Sequence, residues 1–589
     1  MSDTRLGYDP IGAVYASAPT MSKPRSSLSV ALEQTRNRLM VTAAVVTLAF
    51  TAIGAKLVDA TLLRGGAEPR QIQAAEAHAP PVGRADIIDR HGNLLATSLA
   101  TASLHADPKV VIDAKEAARK LVSVLPELDY KDVYEKLSSE KRFVWIKRNL
   151  TPRQQAQVHR LGIPGLYFER EERRFYPATQ LASHVVGFTG VDNNGLAGIE
   201  QQFDKRLRND PTPLQLSIDL RLQHILKKEV AAAVEEFRAL GAAGMVYDVN
   251  TGEVLAMVSL PDFDPHNPTD LDENTRFNRN TLGVYEMGST FKIFNSAMAL
   301  ESGKVRLHDS FDATHSIQIG RFTISDYHGK NRWLTVPEIF QHSSNIGSVR
   351  MALTAGIPTQ RAFMQKMGFM RPTPVELPEN GWPLVPNPWR EVNAMTISFG
   401  HGISVSPMHT VAAAASTING GIMRPATLLK REAGAELPGE RVISPQTSEA
   451  MRRLFRLVVT EGTAKAADVQ GYIVGGKTGT ADKQKGRSYS QNARLSSFVG
   501  AFPMHDPKYM VLVMVDEPKA TAKTYGYATG GWVAAPAVGR IIKQIGPLLG
   551  VQPVDPNAPE IIAATAINTN GTVPVKGSTV ASVPPPRTH

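Results

Sequence analysis

An apolar run near the N-terminus constrains the architecture of this 589-residue chain more than any other feature. From Leu39 to Ala55 it reads LMVTAAVVTLAFTAIGA, 17 residues without a charge. As a helix these residues nearly cross the hydrocarbon core of a bilayer. Apolar residues continue to Leu63, past Lys56, whose long side chain can reach the interface. The run is apolar on every face, unlike a surface helix. We therefore expect a single transmembrane anchor at residues 39–63.

The charges around the run bear on its orientation and on its cleavage. Four basic residues lie between Lys23 and Arg38, against one acid, Glu33. This modest excess favours a cytoplasmic tail at residues 1–38 and export of the remainder of the chain. The preceding region is long for a signal peptide, although VDA at 58–60 would serve as a cleavage site. Cleavage is one alternative to an anchor, and a buried helix of a soluble protein is the other.

Composition excludes several classes of chemistry. The chain has no cysteine, which rules out disulfides, a cysteine nucleophile and thiolate metal sites. The formal net charge is +10, but there is no dense run of lysine and arginine and no basic stripe interleaved with aromatic residues. We therefore expect no nucleic-acid partner. The glycine-rich GFTGVDNNG lacks the Lys-Ser/Thr ending of a phosphate-binding loop, and no convincing metal cluster is visible. We expect neither a metal nor a cofactor.

Beyond the anchor the chain divides into a region at 64–212, a larger region at 213–550 and a tail at 551–589. The first contains GRADIIDRHGNLLATS (83–98), whose alternation and RHGN turn predict a hairpin. The second contains AAGMVYDVNTGEVLAMVSLP (242–261), a second predicted hairpin, and ends in two strand-like runs and a helix. Strands flanking a largely helical middle indicate an α+β domain with helices on both faces of a sheet. The tail is rich in Pro, Thr and Ala, and we expect it to be disordered, with no assignable function.

The segment YEMGSTFKIF (285–294) holds Ser289 and, three positions later, Lys292. Residues three apart on a helix share a face, so the lysine amine can reach the serine hydroxyl. A free serine is a poor nucleophile and needs an adjacent base, which a lysine becomes only when burial or a nearby cation lowers its pKa. The pattern alone is weak, since it recurs at Ser138–Lys141 in a charged segment that looks like a solvated helix face.

Two further motifs follow in the chain. FQHSSNIGSV (340–349) contains Ser343 and Asn345, and VGGKTGTA (474–481) contains the one Lys-Thr-Gly of the sequence, at 477–479. Glycines around the third motif allow close backbone approach, as expected of a strand that borders a ligand cleft. Lys477, in this third motif, is the second cation, which would lower the pKa of Lys292. Each short motif is common by itself, but the order Ser-x-x-Lys, Ser-x-Asn, Lys-Thr-Gly in suitable local settings is not.

This ordered set resembles that of penicillin-binding proteins and serine β-lactamases. GRADIIDRHGNLLA and FYPATQLASHVVGFTG…GLAGIEQQFDKRL look like the N-terminal pedestal module of class B penicillin-binding proteins, which β-lactamases lack. YDVNTGEVLAMVSLPDFDPHNP, SFGHGISVSPMHTVAAAASTINGG and VDEPKATAKTYGYATGGWVAAP look like parts of their transpeptidase domain. The resemblance runs from about residue 83 to 545. It implies an α+β fold: a transmembrane helix, a mixed pedestal domain at 64–212, and a transpeptidase domain at 213–550 with an antiparallel sheet flanked by helices.

The second motif bears on the subtype. Elongation-type members tend to carry Ser-x-Asp there, whereas this chain has Ser-Ser-Asn, and ISDYHGKNRWLTVPEIFQHSSNIG (324–347) is similar to the division-type sequence. The resemblance thus implies a septal D,D-transpeptidase. Met287 departs from the family pattern, because many relatives have Pro before Gly-Ser; we expect a small change in helix entry and no loss of chemistry. Residues 64–212 show no glycosyltransferase-like acidic signature, so we expect no sugar-polymerising activity.

The resemblance also implies roles for the catalytic side chains. Ser289 Oγ attacks the carbonyl of the penultimate D-Ala of a stem peptide ending in D-Ala-D-Ala, as in the serine-type transpeptidase/carboxypeptidase class. Lys292 accepts its proton, Ser343 relays a proton to the departing D-Ala, and Lys477 adds positive potential. An amine of a neighbouring stem peptide then attacks the acyl-enzyme and forms the cross-link.

The same resemblance implies the substrate-binding residues. Asn345 binds a substrate amide and helps to position the lysine base. Thr478 and Thr480 bind the terminal carboxylate, with Gly479 between them allowing close approach. The backbone N–H groups of Ser289 and Thr480 form the oxyanion hole. β-Lactams would acylate Ser289 and stay, because the acceptor amine cannot displace them.

The implied partners are stem peptides, β-lactams, the membrane, other single-pass division proteins and a lipid-linked glycan polymerase. The implied location is the inner membrane, with the N-terminus in the cytoplasm and the catalytic domain in the periplasm. Three alternatives stay open: an elongation-type transpeptidase, a membrane-anchored β-lactam hydrolase or sensor of the same superfamily, and a scaffold that binds division partners without catalysis.

Overall fold

A computed structural model gives the fold of the chain. It describes residues 27–58 and 83–573, except 269–271, 321 and 486–487. Contacts group the chain into two compact units, with the division between Val82 and Gly83.

The N-terminal unit contains one described helix, α1 (Ser27–Val58). Its stretch Arg38–Lys56 has a mean hydropathy of 1.8, is long and apolar enough to cross a membrane, and is not buried against the protein. An unburied apolar surface of this length is what a helix in contact with lipid requires. The predicted anchor is helical as far as Val58, and its last residues, 59–63, lie outside the described residues.

The second unit begins with a pedestal built on a five-stranded sheet. Its strands are β1 (Ile87–Ile88), β2 (Leu94–Ala106), β3 (Val144–Leu150), β4 (Leu166–Phe175) and β5 (Leu214–Gln215). The long β2 pairs antiparallel with β1, β3 and β4, and β1 pairs parallel with β5. The predicted hairpin at 83–98 is confirmed, with Gly92 at a φ of 88° in its turn. β5 lies after the predicted boundary at 212/213, yet it pairs with β1 of the pedestal sheet. The exact position of the domain boundary therefore stays a prediction.

The pedestal helices are α2 (Ala114–Val124), α3 (Tyr130–Leu137), α4 (Pro152–Arg160), α5 (Ser183–Val186), α6 (Gly198–Gln202) and α7 (Asp204–Asn209). Local sequence explains where they start. Asp113 accepts hydrogen bonds from the first N–H groups of α2, and Thr151 forms a capping box at α4, where Pro152 occupies the first turn. Apolar residues of α2, α3 and α4 pack with β2 and β3 into a separate small core.

A buried ion cluster fastens the start of the pedestal to its later segments. Arg84 and Arg174 are each 4% exposed, and both donate to the carboxylate of Glu200, which is fully buried. Arg174 also donates to the carbonyl oxygens of Arg84 and Ala85, at 3.0 and 2.8 Å. Each buried charge therefore has an opposite charge beside it, as burial of an ion requires.

The predicted transpeptidase domain is built on a five-stranded antiparallel sheet in the order β14-β15-β16-β6-β7. These strands are β6 (Gly241–Asp248), β7 (Val254–Leu260), β14 (Gly475–Lys485), β15 (Ser488–Phe502) and β16 (Tyr509–Asp516). Short strands lie between them in the sequence: β8 (Ser310–Asp312), β9 (Ile317–Ile319), β10 (Phe322–Ile324), β11 (Trp333–Thr335), β12 (Ile422–Met423) and β13 (Glu440–Arg441). The predicted hairpin at 242–261 is confirmed as β6 and β7.

The helices of this domain are α8 (Leu220–Glu236), α9 (Glu273–Arg276), α10 (Lys292–Glu301), α11 (Val336–His342), α12 (Asn345–Ala355), α13 (Ile357–Lys366), α14 (Glu391–Ile397), α15 (Pro407–Ser416), α16 (Pro445–Thr460) and α17 (Gly530–Leu548). Glycines in the sheet show which helices cover which face. A Cβ on Gly244 or Gly500 would touch α8 or α17, whereas a Cβ on Gly475, on the opposite face, would touch α16. The α+β architecture with helices on both faces is therefore confirmed.

The prediction of a disordered tail from residue 551 is wrong as far as residue 573. Residues 559–565 form α18 (Pro559–Thr565), and Ile561 and Ile567 are each 6% exposed. Arg453 of α16 donates to the carbonyl oxygens of Ala563 and Ala566, at 2.7 and 2.9 Å. The composition of the tail, low in charge and rich in Ala and Pro, predicted disorder. It did not show that Ile561 and Ile567 are buried against the domain. Residues 574–589 lie outside the described residues.

Candidate active site

Ser289 lies in a 3₁₀ turn (Gly288–Phe291) that leads directly into α10. Gly288 has a φ of 54°, and a Cβ there would lie 2.5 Å from the carbonyl oxygen of Thr480. Its N–H donates to the carbonyl oxygen of Gly400 at 3.2 Å. Only glycine tolerates this conformation and this approach, so the serine turn packs directly against β14.

Met287, just before this turn, is 1% exposed and packs into the core. Its φ of −82° is close to the value that proline imposes. The backbone at position 287 therefore has a conformation that suits methionine and proline alike. That methionine leaves the chemistry of the site intact stays a prediction.

Lys292 joins the first motif to the second. Its Nζ lies within hydrogen-bond distance of four oxygens: Ser289 Oγ at 2.9 Å, Asn345 Oδ1 at 2.7 Å, and the Oγ and carbonyl oxygen of Ser343 at 3.1 and 2.7 Å. The side chain is 1% exposed. All four contacts are with neutral groups, and no carboxylate of the described residues forms an ion pair with this amine.

Lys477, in β14, brings the third motif to the same point. It is fully buried, and its Nζ donates to Ser343 Oγ at 3.0 Å and to the carbonyl oxygen of Thr478 at 3.4 Å. The same Nζ lies 5.8 Å from the centre of the Phe340 ring. The Ser343 hydroxyl is thus held between two lysine amines.

Burial changes the acidity of both lysines, because it disfavours their charged forms. Burial lowers the pKa of Lys292 well below its usual value, the charge of Lys477 lowers it further, and Asp326 acts in the opposite direction. Burial likewise lowers the pKa of Lys477 to about 7. The amine nearest the Ser289 hydroxyl is therefore able to become neutral and accept a proton.

Ser343 occupies a strained position between α11 and α12. It has a φ of 59° and a ψ of 42°, the left-handed region that side chains rarely adopt. Ser344 caps α12 by accepting from the N–H of Gly347 at 2.9 Å. Asn345 is fixed at both ends of its amide, since its Nδ2 donates to the carbonyl oxygen of Ser325 at 2.9 Å. The bend between the two helices is what turns Ser343 and Asn345 towards the lysines.

Asp326 supports this bend and was not singled out from the sequence. Its carboxylate accepts from the hydroxyl of Ser344 at 2.7 Å and from the N–H groups of Asn345 and Ile346 at 2.5 and 3.0 Å. It lies 18 residues before Ser344, so no local motif connects it to the helix that it caps. An acidic side chain at a helix N-terminus is favourable both as a hydrogen-bond acceptor and as a charge.

The remaining predicted residues continue along β14 beside Ser289. Thr478 is 7% exposed, and Thr480 Oγ1 accepts from the N–H of Gly530 at 3.1 Å. A Cβ on Gly479 would lie 2.8 Å from the carbonyl oxygen of Met287, so the glycine permits the close packing that was predicted. The structure thus brings all eight predicted site residues together: Ser289, Lys292, Ser343, Asn345, Lys477, Thr478, Gly479 and Thr480. It leaves Ser138 at the end of α3 in the pedestal, on a different domain.

Comparisons with known proteins identify the family. The chain matches the family model "Penicillin binding protein transpeptidase domain" at residues 242–543 and the model "Penicillin-binding Protein dimerisation domain" at residues 79–219. It is 41% identical to the probable peptidoglycan D,D-transpeptidase FtsI of Caulobacter vibrioides, over 80% of this chain and 82% of that protein. It is 33% identical to stage V sporulation protein D of Bacillus subtilis, over 80% and 79% of the two chains.

A solved structure supports the fold. Penicillin-binding protein 3 of Mycobacterium tuberculosis, in complex with aztreonam, superposes with a TM-score of 0.64 at 22% identity, covering 81% of this chain and 98% of that one. The chain has a dimerisation domain followed by a transpeptidase domain, and it is 41% identical to an FtsI. It therefore belongs to the class B penicillin-binding proteins, of the FtsI-like peptidoglycan D,D-transpeptidase type.

Proposed function

We propose that this chain is a septal peptidoglycan D,D-transpeptidase that cross-links stem peptides through an acyl-enzyme on Ser289. One observation carries the assignment: the buried Lys292 amine lies 2.9 Å from Ser289 Oγ, has a lowered pKa, and has neutral hydrogen-bond partners among the residues that the structure describes. A serine beside such an amine has the base that its nucleophilic attack requires. The name of the Caulobacter vibrioides relative, a probable peptidoglycan D,D-transpeptidase, agrees with this chemistry.

In the acylation step, Ser289 Oγ attacks the carbonyl carbon of the penultimate D-Ala while Lys292 accepts the hydroxyl proton. The N–H groups of Ser289 and Thr480 hold the oxyanion, a contribution of about 3 kcal/mol per donor in comparable enzymes. The peptide C–N bond then breaks, and the leaving nitrogen takes a proton from Lys292 through the Ser343 hydroxyl. This relay is supported by the position of Ser343 Oγ, within 3.1 Å of both lysine amines.

In the second step, the amine of a neighbouring stem peptide attacks the ester carbonyl. Lys292, neutral again after acylation, accepts the surplus proton of the attacking amine, with the Ser343 hydroxyl as the relay. As the C–O bond to Ser289 breaks, Lys292 delivers this proton to the serine oxygen. A new amide bond replaces the one that was lost, so the reaction needs no external energy source.

The substrate is held by the groups around these atoms. Thr478 and Thr480 receive the terminal carboxylate, which the charge of Lys477 attracts at a pH below its pKa of about 7. For Asn345 the positioning role has the stronger support, because its Oδ1 accepts from Lys292 at 2.7 Å and one proton of its Nδ2 is already donated to Ser325. The second Nδ2 proton is available for a substrate carbonyl.

The septal role, the inner-membrane topology and the partners belong to the same proposal. The one candidate membrane helix among the described residues and the FtsI-type relative support an anchored protein with a periplasmic catalytic domain that works beside other division proteins and a glycan polymerase. A fluorescent fusion expressed at native level distinguishes the subtypes: accumulation at mid-cell during constriction agrees with a septal enzyme. Uniform labelling of the side wall would instead favour the elongation type.

The catalytic proposal is tested with the full-length protein in detergent, incubated with penicillin and followed by intact and peptide mass spectrometry. We expect a persistent adduct on the peptide that contains Ser289, absent from Ser289→Ala. An adduct that disappears within seconds while penicillin is consumed would point to a β-lactam hydrolase. No adduct would leave the scaffold function as the better account.

A further inference from the structure

We propose that Thr463 is a positioning residue for recognition of the substrate's terminal carboxylate, acting through the hydroxyl of Thr478. Its Oγ1 lies 2.7 Å from Thr478 Oγ1, and this is the one hydrogen bond that the Thr478 hydroxyl makes within the described residues. The inference rests on the proposed function, because it concerns how the same site holds its acyl donor.

Thr463 is held firmly, although its side chain is exposed. It follows α16 in a short loop where the N–H groups of Gly462 and Ala464 both donate to the carbonyl oxygen of Val458, at 3.1 and 3.2 Å. On its other side, a Cβ on Gly531 would lie 2.5 Å from the carbonyl oxygen of Thr463. The loop is therefore wedged between the end of α16 and the start of α17, and the exposed hydroxyl borders the same cleft as Thr478.

The direction of hydrogen bonding gives this contact its meaning. A hydroxyl has one proton to donate and two lone pairs to accept with, and it binds a carboxylate only by donating. Thr480 Oγ1 accepts from the N–H of Gly530 at 3.1 Å, which can only be a donor, so the proton of Thr480 is left for the ligand. Thr463 is placed to donate its hydroxyl proton to Thr478 Oγ1, which leaves the proton of Thr478 for the ligand.

An anion in the cleft would fix the direction of this second bond. The carboxylate attracts the proton of Thr478, which leaves the Thr478 oxygen as an acceptor and Thr463 as the donor. Such a chain, from Thr463 to Thr478 to the carboxylate, strengthens each of its bonds, because charge-assisted hydrogen bonds polarise their neighbours. Without Thr463, the Thr478 hydroxyl has no partner behind it and is free to rotate away from the ligand.

The consequence is selectivity for acyl donors that carry a carboxylate. We expect Thr463→Val, which removes the hydroxyl and keeps the shape, to lower the efficiency of Ser289 acylation about tenfold for a carboxylate donor. The loss appears in the affinity before acylation and not in the acylation rate itself. For a donor with a neutral carboxamide at the same place, efficiency is unchanged, and the pH profile keeps its shape because Lys292 is untouched.

The experiment uses the full-length protein in detergent and a matched pair of probes, an acylated D-Ala-thioglycolate and its neutral thioglycolamide. Acylation is followed by release of the thiol, and affinity and rate are separated by varying the probe concentration. Thr463→Ser keeps the hydroxyl and should behave like the wild type, whereas Thr463→Ala should repeat the effect of the valine variant. Thr460→Val is the control, since within the described part of the chain that hydroxyl donates to backbone carbonyls of its own helix and to nothing else.

Two results would overturn the inference while the proposed function stands. Equal losses for the two probes in Thr463→Val and Thr463→Ala would mean that the residue supports the fold of the site and not carboxylate recognition. No loss for either probe would mean that Thr478 needs no partner. If the wild-type protein is not acylated by either probe or by penicillin, the proposed function itself fails, and this inference falls with it.

Discussion

The pedestal and the transpeptidase domain bury cationic side chains to the same depth but surround them differently. In the pedestal, Arg84 and Arg174 are 4% exposed and share the carboxylate of Glu200. In the transpeptidase domain, Lys292 and Lys477 are 1% and 0% exposed, and their hydrogen-bond partners among the described residues are hydroxyl, amide and carbonyl groups. In the pedestal the guanidinium groups stay charged beside a carboxylate. In the transpeptidase domain burial without a carboxylate disfavours the charged form of the lysines.

This difference separates a structural use of burial from a chemical one. A guanidinium stays protonated under all ordinary conditions, so arginine beside a carboxylate forms a permanent link. An ammonium loses its proton readily when it is buried without an opposite charge, which is why a lysine serves as a base. In the proposed mechanism the same depth of burial fastens the pedestal in one place and activates Ser289 in the other, and the charge of the neighbouring groups decides between the two outcomes.

The largest effect is expected from removal of the catalytic amine. Lys292→Met fills a similar volume and takes away the base, so we expect Ser289 acylation by penicillin to fall about a thousandfold. The unfolding transition should persist, because a costly buried charge leaves with the side chain. Lys141→Met, in the second Ser-x-x-Lys of the sequence, is the matched control and should react like the wild type. Comparable acylation by Lys292→Met would show that another group removes the proton.

The opposite pattern is expected in the pedestal. Glu200→Gln leaves two buried guanidinium groups around a neutral amide, which should cost about 3–5 kcal/mol of unfolding free energy. The rate of acylation of the molecules that remain folded should not change. Urea unfolding and penicillin labelling measure the two quantities on one sample. The exposed pair of Glu116 and Lys120 provides the control, since Glu116→Gln should cost only a few tenths of a kcal/mol. A loss of acylation without a loss of stability would join the two clusters functionally.

Arg453 is an intermediate case, because its guanidinium meets both a carboxylate, that of Glu449, and the carbonyl oxygens at the end of α18. A chain that ends at residue 556 lacks α18 and uncovers the surface under Ile561 and Ile567. We expect it to lose about 2 kcal/mol of unfolding free energy, roughly one well-buried aliphatic side chain. Arg453 becomes solvated and adds little to the cost. Truncation after Val573 keeps these contacts and is the control; equal stability of the two truncated chains would contradict the docked tail.

The residues that we propose to be catalytic could be named from the sequence, and the residues that support them could not. Ser289 and Lys292 lie within one turn, and Lys477 to Thr480 are adjacent in a strand, so short-range geometry already relates them. Asp326 and Thr463 reach the site from loops 18 and 15 residues away from their partners, and only the folded chain brings them close. The same applies to the tail, where composition predicted disorder but Ile561 and Ile567 are buried.

The comparison also predicts a pH dependence of stability to which the two buried lysines contribute and the cluster of Arg84, Arg174 and Glu200 does not. The pKa of Lys477 is about 7 in the folded protein and near 10.4 in an unfolded chain, so between these values the unfolded state binds more protons. Stability must therefore rise with pH above 7, by up to about 1.4 kcal/mol per pH unit for this group. The lowered pKa of Lys292 acts in the same direction.

Urea unfolding of the full-length protein between pH 7 and 9 measures this slope below the range in which tyrosines titrate. In Lys477→Met the free energy of unfolding should rise less steeply with pH, because the variant has no ionisable group at that position. Glu200→Gln should lower stability by the same amount at every pH and leave the slope intact, since arginine does not titrate in this range. If the slope survives in Lys477→Met and disappears in Glu200→Gln, the assignment of permanent charge to the pedestal and of removable charge to the active site must be reversed.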